Sequence, residues 1–438
     1  MSDEETKGQA ENDATECPAA FAMPRPSPKL AALTTSALAL PGIVGSAHAD
    51  APIERASASS SFSYYREDQI RQNKKSSATG SNKRYEVYAK QLRVDLPATE
   101  RTDIGIDFLY ESMSGASPIS VTRENGRLVS AMSGATIEDE RYDLNLDLDY
   151  YLDEGKDTIS AGFSTEKDYD SVHVGLATTR NFNDKNTTLD LAGTFAYDWI
   201  EPTGGGTNNR IVTDEKWSVD LFMGLAQIIS RASTAQITIN YKHSEGFLSD
   251  PYKRFLVDAS NSNFNDARPE KREMVSIMGR YRHHFEDVEG SLHLDYRFFA
   301  DSWEMVSHTI EVGWYQTLFD SLTIKPAIRW YSQSKADFYE PIFAVRPTYG
   351  SSDYRLSPYG AVSAKIRFDY EVLDAFNYDP PEFLQAIGIT EGLDVVASLS
   401  YERYISNGHF GLQSVGEFEE APALVSFQVI AFTLSGQF

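Results

Sequence analysis

The stretch Arg141–Leu152, RYDLNLDLDYYL, decides the fold. Tyr142, Leu144, Leu146, Leu148, Tyr150 and Leu152 recur on every second residue, and Arg141, Asp143, Asn145, Asp147 and Asp149 fill the alternate positions. Successive side chains of a strand point to opposite faces, so this is a strand with one apolar and one charged side. A soluble sandwich buries such an apolar side against a second sheet. Here the pattern recurs in long segments, and none of them is apolar on both faces. Lipid outside and water inside would demand that arrangement.

Outward from this stretch, the same alternation appears at Ile104–Glu111, Leu189–Trp199, Trp217–Leu225, Leu292–Phe298, Leu322–Trp330 and Val362–Tyr370. Tight polar turns at Asp153–Lys156, Asn183–Asn186, Phe285–Gly290 and Phe319–Ser321 alternate with longer loops at 113–136, 201–214, 246–272, 333–353 and 404–422. Short turns on one side and long loops on the other are the asymmetry of an outer-membrane barrel. Counting back from the C-terminus predicts an all-β chain: a transmembrane antiparallel up-and-down β-barrel of about 16 strands, with 14 and 18 as neighbouring counts. The predicted strands lie near 58–66, 84–96, 101–112, 137–152, 157–166, 170–182, 187–200, 215–228, 234–245, 273–284, 290–300, 306–318, 321–332, 355–370, 392–403 and 424–438. Trp199, Trp217 and Trp330 are expected in an outer aromatic girdle, and Tyr150, Trp314 and Tyr315 in an inner one.

Residues 25–49 read as a cleavable export signal: basic Arg25 and Lys29, an apolar run from Leu30 to Gly45, and Ala47-His48-Ala49 before Asp50. Residues 1–24 form an acidic extension ahead of it; Met23 would start a conventional signal. The barrel then occupies residues 50–438. Phe432, Leu434, Gly436 and the terminal Phe438 alternate along the last strand and resemble the signal read by the outer-membrane assembly machinery. These features place the protein in the outer membrane of a Gram-negative bacterium, with membrane lipid and that machinery as partners. A periplasmic or lipoprotein partner is a further expectation.

The net charge of −24 argues against nucleic acid, which is held by Lys and Arg. The single cysteine, Cys17, excludes an internal disulfide and lacks the apolar stretch of a lipoprotein site. The polar faces carry the candidate functional residues. The first half of the chain places Asp103, Asp107, Glu111, Asp143, Asp147, Asp149, Asp190, Asp198 and Asp220 toward the lumen. The second half places Arg280, Arg282, Arg297, Lys325, Arg329, Lys365 and Arg367 there. Two facing walls of opposite sign would orient dipolar solutes, or would meet through salt bridges and fill the interior.

No catalytic, metal or cofactor site is expected. Ser307 and His308 are adjacent and so face opposite ways, as do His283 and His284. Gly204-Gly205-Gly206 lacks the Lys-Ser or Lys-Thr of a phosphate loop. Glu417–Glu420 lacks the spacing of a calcium loop. Pro380-Pro381 followed by EFLQAI could open a short helix in the inner connection 371–391.

Several loop phrases, taken together, carry a resemblance. They are Phe62–Asp68 (FSYYRED), Met113–Pro118 (MSGASP), Glu166–Ser171 (EKDYDS), Gly246–Lys253 (GFLSDPYK), Ala267–Arg272 (ARPEKR), Asp301–Trp303 with Ser307–Thr309, Gln333–Tyr339 (QSKADFY) and Ser352–Ser357 (SDYRLS). Their set and order resemble a domain-of-unknown-function family of outer-membrane proteins, over about residues 58–438. The resemblance implies an exported barrel, often encoded beside a flavin transferase and a thioredoxin-like protein. It carries over no binding or catalytic residue. Two functions follow as expectations: a channel for small polar solutes, or a non-conducting anchor or subunit of an extracytoplasmic redox or modification system.

Overall fold

A computed structural model describes residues 52–77, 80–133, 137–319, 321–372, 394–413, 415 and 420–437. The export signal, the acidic extension, the inner connection from residue 373 with the helix expected after Pro380-Pro381, most of the Glu417–Glu420 cluster and Phe438 lie outside these residues.

Twenty strands form among the described residues. They are β1 (Ser57–Glu67), β2 (Glu86–Thr99), β3 (Thr102–Gly115), β4 (Pro118–Glu124), β5 (Arg127–Met132), β6 (Ile137–Leu152) and β7 (Gly155–Thr165). Next come β8 (Tyr169–Phe182), β9 (Thr187–Ile200), β10 (Asp214–Ser230), β11 (Ser233–Gly246), β12 (Arg254–Val257), β13 (Ser262–Asn265) and β14 (Lys271–Phe285). The last are β15 (Gly290–Asp301), β16 (Val306–Leu318), β17 (Leu322–Gln333), β18 (Tyr359–Glu371), β19 (Asp394–Asn407) and β20 (Phe427–Gln437).

Sixteen of these close into one antiparallel barrel in chain order, skipping only the hairpins β4–β5 and β12–β13. The seam is β1 against β20, in register from Ser57 opposite Gln437 to Glu67 opposite Phe427. A sheet closed on itself leaves no unpaired edge, the condition for crossing a hydrocarbon layer.

The alternation fixes which way each residue faces. Along β6, Leu146 is 47% exposed and Asp147 only 8%. The apolar set (Phe108, Leu144, Leu148, Val174, Leu221, Ile237, Ile328, Leu399) lies open on the outside of the barrel. Open apolar surface on this scale marks a lipid-facing belt, and the fold is that of an outer-membrane-type β-barrel.

Two sequence expectations need correction. Tyr315 is not part of an inner girdle: it faces the lumen, stacked on His293 at 3.7 Å with the Lys325 ammonium 5.0 Å from its ring. Neighbouring strand residues point opposite ways, so Trp314 and Tyr315 cannot share a face. The loops near 113–136 and 246–272 are also more ordered than expected. Each holds a short hairpin, β4–β5 and β12–β13.

Candidate functional site: the lumen and its loop cap

The predicted lumen residues all occupy the inner face. On the acidic wall, Asp103, Asp107, Glu111, Asp143, Asp147, Asp190 and Asp198 are buried, with Asp149 and Asp220 partly so. On the basic wall only Arg367 is buried; Arg280, Arg282, Arg297, Lys325, Arg329 and Lys365 keep intermediate exposure although they point inward. These inward side chains of β14–β18 therefore keep some contact with solvent.

The ion pairs resolved among the described residues are local to each wall. Each wall brings its own partners from neighbouring strands. Arg93 on β2 reaches Asp147 at 3.2 Å and Asp95 at 2.6 Å. Arg141 pairs with Asp143 at 2.9 Å and Glu111 at 3.5 Å, and Lys156 with Asp149 at 2.7 Å. Lys216 lies 3.8 Å from Asp198. Neutral donors serve the others: Gln91 on Asp107 at 2.8 Å, Thr179 on Asp190 at 2.7 Å, Asn240 on Asp220 at 2.5 Å, and the Ile53 amide on Asp103 at 3.1 Å.

On the basic wall, Arg282 pairs with Asp295, Arg329 with Glu311 at 2.6 Å, and both Lys325 and Arg367 with Asp369 at 2.5 Å. Arg280 donates to Gln236 at 3.1 Å and Arg297 to Ser276 at 2.9 Å. Adjacent strands put their inward side chains about 5 Å apart, so a charge finds its counterion next door before it can find one across the barrel.

The long-loop rim carries a cap that the alternation could not reveal. The loops after β3, β11 and β17 are rooted far apart around the circle, yet they meet. Lys253, from the loop between β11 and β14, donates to Ser117 Oγ at 2.9 Å and to the Pro118 carbonyl at 2.5 Å, both from the loop after β3. In barrel order β3 and β11 are separated by β6 to β10, so this contact spans the mouth.

Arg268 donates to Asp266 at 2.7 Å and to Asp353, from the loop after β17, at 3.0 Å. Arg355 donates to Asp353 at 2.7 Å and to Asp250 at 2.6 Å. The backbones of Ala267 and Gly350 exchange hydrogen bonds. Three cations and three carboxylates thus balance within one buried cluster. The charge of Arg355, with Lys253 and Arg268, outweighs desolvation and holds the Asp353 carboxyl well below the usual range. Burial pushes Asp266 up, against Arg268.

Around this cluster pack two apolar groups. Trp303, Phe338, Tyr339 and Leu356 form one, with Arg272 4.1 Å above the Trp303 ring. Tyr65, Val87, Leu109, Tyr404, Phe427 and Val429 form the other, inside the outer part of the barrel. A side arm tethers a fourth loop: Tyr252 donates to Asp168 at 2.5 Å, which also accepts from the Thr203 amide at 3.0 Å.

Two glycines let the chain turn over the mouth. Gly115 ends β3 at φ +141° and Gly246 ends β11 at φ +123°. A Cβ at Gly115 would lie 2.5 Å from the Arg84 carbonyl oxygen, and one at Gly246 would strike that of Glu215. Only glycine tolerates such backbone without strain.

The other sequence candidates fall apart in space. Ser307 is buried inside, whereas His308 on the outer face contacts Tyr296 OH at 2.9 Å. His283 contacts Ser233 at 2.7 Å and His284 contacts Ser291 at 3.0 Å. Among the described residues, no group of three or more His, Cys, Asp or Glu could hold a metal ion. Phe432 and Leu434 lie exposed on the outer face of β20.

Residues 30–379 match the family described as "Protein of unknown function (DUF3570)". The chain belongs to that family. None of the curated proteins compared matches this DUF3570 member. Among solved structures it is similar to the siderophore receptor PirA from Pseudomonas aeruginosa, at 12% identity and TM-score 0.36, covering 81% of this chain and 56% of that one. The DUF3570 chain thus spans little more than half the length of that receptor. A Pseudomonas aeruginosa FadL homologue gives 10% identity and TM-score 0.36, covering 88% and 90% of the two chains. OccK2 (OpdF) of the same organism gives 9% and 0.38, covering 87% and 96%. Likenesses this distant carry nothing about what the DUF3570 barrel binds.

Proposed function

We propose that this barrel is an outer-membrane conduit for small polar solutes, lined by a wall rich in carboxylates and a wall rich in Arg and Lys, and shut at its outer mouth in the state described. The observation that carries this reading is the partial exposure of Arg280, Arg282, Arg297, Lys325, Arg329 and Lys365 on the inner face. A barrel filled by its own side chains would bury them. Sixteen strands also leave more interior than side chains alone occupy. Export through the 25–49 signal and recognition of the last strand by the assembly machinery belong to the same reading.

A second reading, a non-conducting anchor or outer subunit, is favoured by the apolar packing of Tyr65, Leu109, Tyr404 and Phe427 in the outer interior. Planar-bilayer recording of the purified mature chain decides between them. Brief openings under voltage, together with permeation of small polar solutes into proteoliposomes, are expected of the conduit. No current in wild type or in any cap-loosened variant rejects it.

A further inference from the structure

Resting on the conduit reading, we infer that the cluster of Lys253, Arg268 and Arg355 with Asp250, Asp266 and Asp353 is a charge-balanced latch. It holds the loops rooted at β3/β6, β11/β14 and β17/β18 shut over the outer mouth. The geometry is specific. Asp353 is the shared acceptor of Arg268 and Arg355, Arg355 also holds Asp250, and Lys253 reaches across to Ser117 and Pro118.

Five of the six ionic residues are buried, and the Arg268 side chain keeps only 9% exposure. A buried ion pair is a weak source of net stability compared with apolar packing, yet breaking one is strongly unfavourable because it strands a charge. Such a cluster therefore behaves as an all-or-none device: closed when its charges cancel, open when one is unmatched. The loops are rooted on three separate hairpins of a rigid sheet. Releasing the cluster frees the cap while every barrel strand keeps its pairing.

Trypsin added to intact cells reads the latch from the outer side alone, at the buried Lys253 and its neighbour Arg254. Wild type is expected to resist cutting there. Asp353→Asn leaves three cations against two carboxylates, and cleavage should quicken roughly tenfold, within the range of a coupled two-state element. Asp250→Asn should do the same. The double variant Asp353→Asn with Arg268→Gln restores balance at two against two and should regain resistance. If either single variant resists like wild type, or if the double variant is cut as fast as Asp353→Asn, the latch is overturned. Heat-modifiable migration shows that each variant remains a closed barrel. Bilayer recording of the same variants keeps the two readings apart, since cleavage without current upholds the latch and rejects the conduit.

Discussion

Asp353 receives hydrogen bonds from the Arg268 and Arg355 guanidiniums and from the Arg355 amide at 3.1 Å, with no solvent between them. Replacing Arg355 with Met takes the cation from Asp250 and leaves Asp353 to Arg268, and should cost about 3–5 kcal/mol of cap stability. Hydrogen exchange of the 247–270 backbone measures that loss. The pH dependence has a definite sign. Asp353 titrates below its ordinary value of about 3.9, so its contribution is complete above that value and is lost only as pH falls through the lower, folded one. Asp266 is shifted upward, so it works in the opposite sense: its contribution is present at low pH and fades as pH rises through its folded value. The Asp353 contribution should therefore hold from neutrality down to about pH 4 and decline progressively only below it, as Lys253 cleavage after acid exposure would register. What the sequence carries at this scale is alternation: Asp143, Asp147 and Asp149 share a local period of two. It could not show the latch. Lys253 and Ser117 are 136 residues apart, and no local rule brings them together.

At the level of strands, the lipid face is the part most directly written in the chain. Leu146→Arg would place a charge in the apolar belt and should cost about 2–4 kcal/mol if it lies at the midplane. Urea unfolding in lipid vesicles, followed by tryptophan fluorescence, tests it. At the end of β11, Gly246→Ala should cost at least about 1–2 kcal/mol, since left-handed backbone penalises any side chain. Gly279→Ala is the matched control within β14, where an added Cβ meets nothing within 4 Å, and it should stay within about 0.5 kcal/mol. Hairpins β4–β5 and β12–β13 escaped the sequence reading for a physical reason. They have no lipid face to alternate against: Val121, Val129, Phe255 and Val257 are buried among other loops. The phrases that carried the family resemblance (GFLSDPYK, ARPEKR, SDYRLS and MSGASP) are the segments that contribute Asp250, Lys253, Arg268, Asp353, Arg355 and Ser117 to the cap. Their composition was legible in the sequence, but their convergence was not.

For the whole molecule, the count of sixteen strands and their order were readable because each strand repeats the same outside-in rule and the turns alternate in length. The charge pattern of the interior was only half readable. Two blocks of opposite sign are present, yet Arg93, Arg141, Asp295 and Glu311 neutralise much of each block locally. The seam joins residues 57–67 to residues 427–437. Of the barrel strands, one partner is made first and the other last, so the ring cannot close until the final barrel strand exists. Truncation from either end should yield open, aggregation-prone sheet instead of a smaller pore, and a surface epitope would have to be spliced into an outer loop.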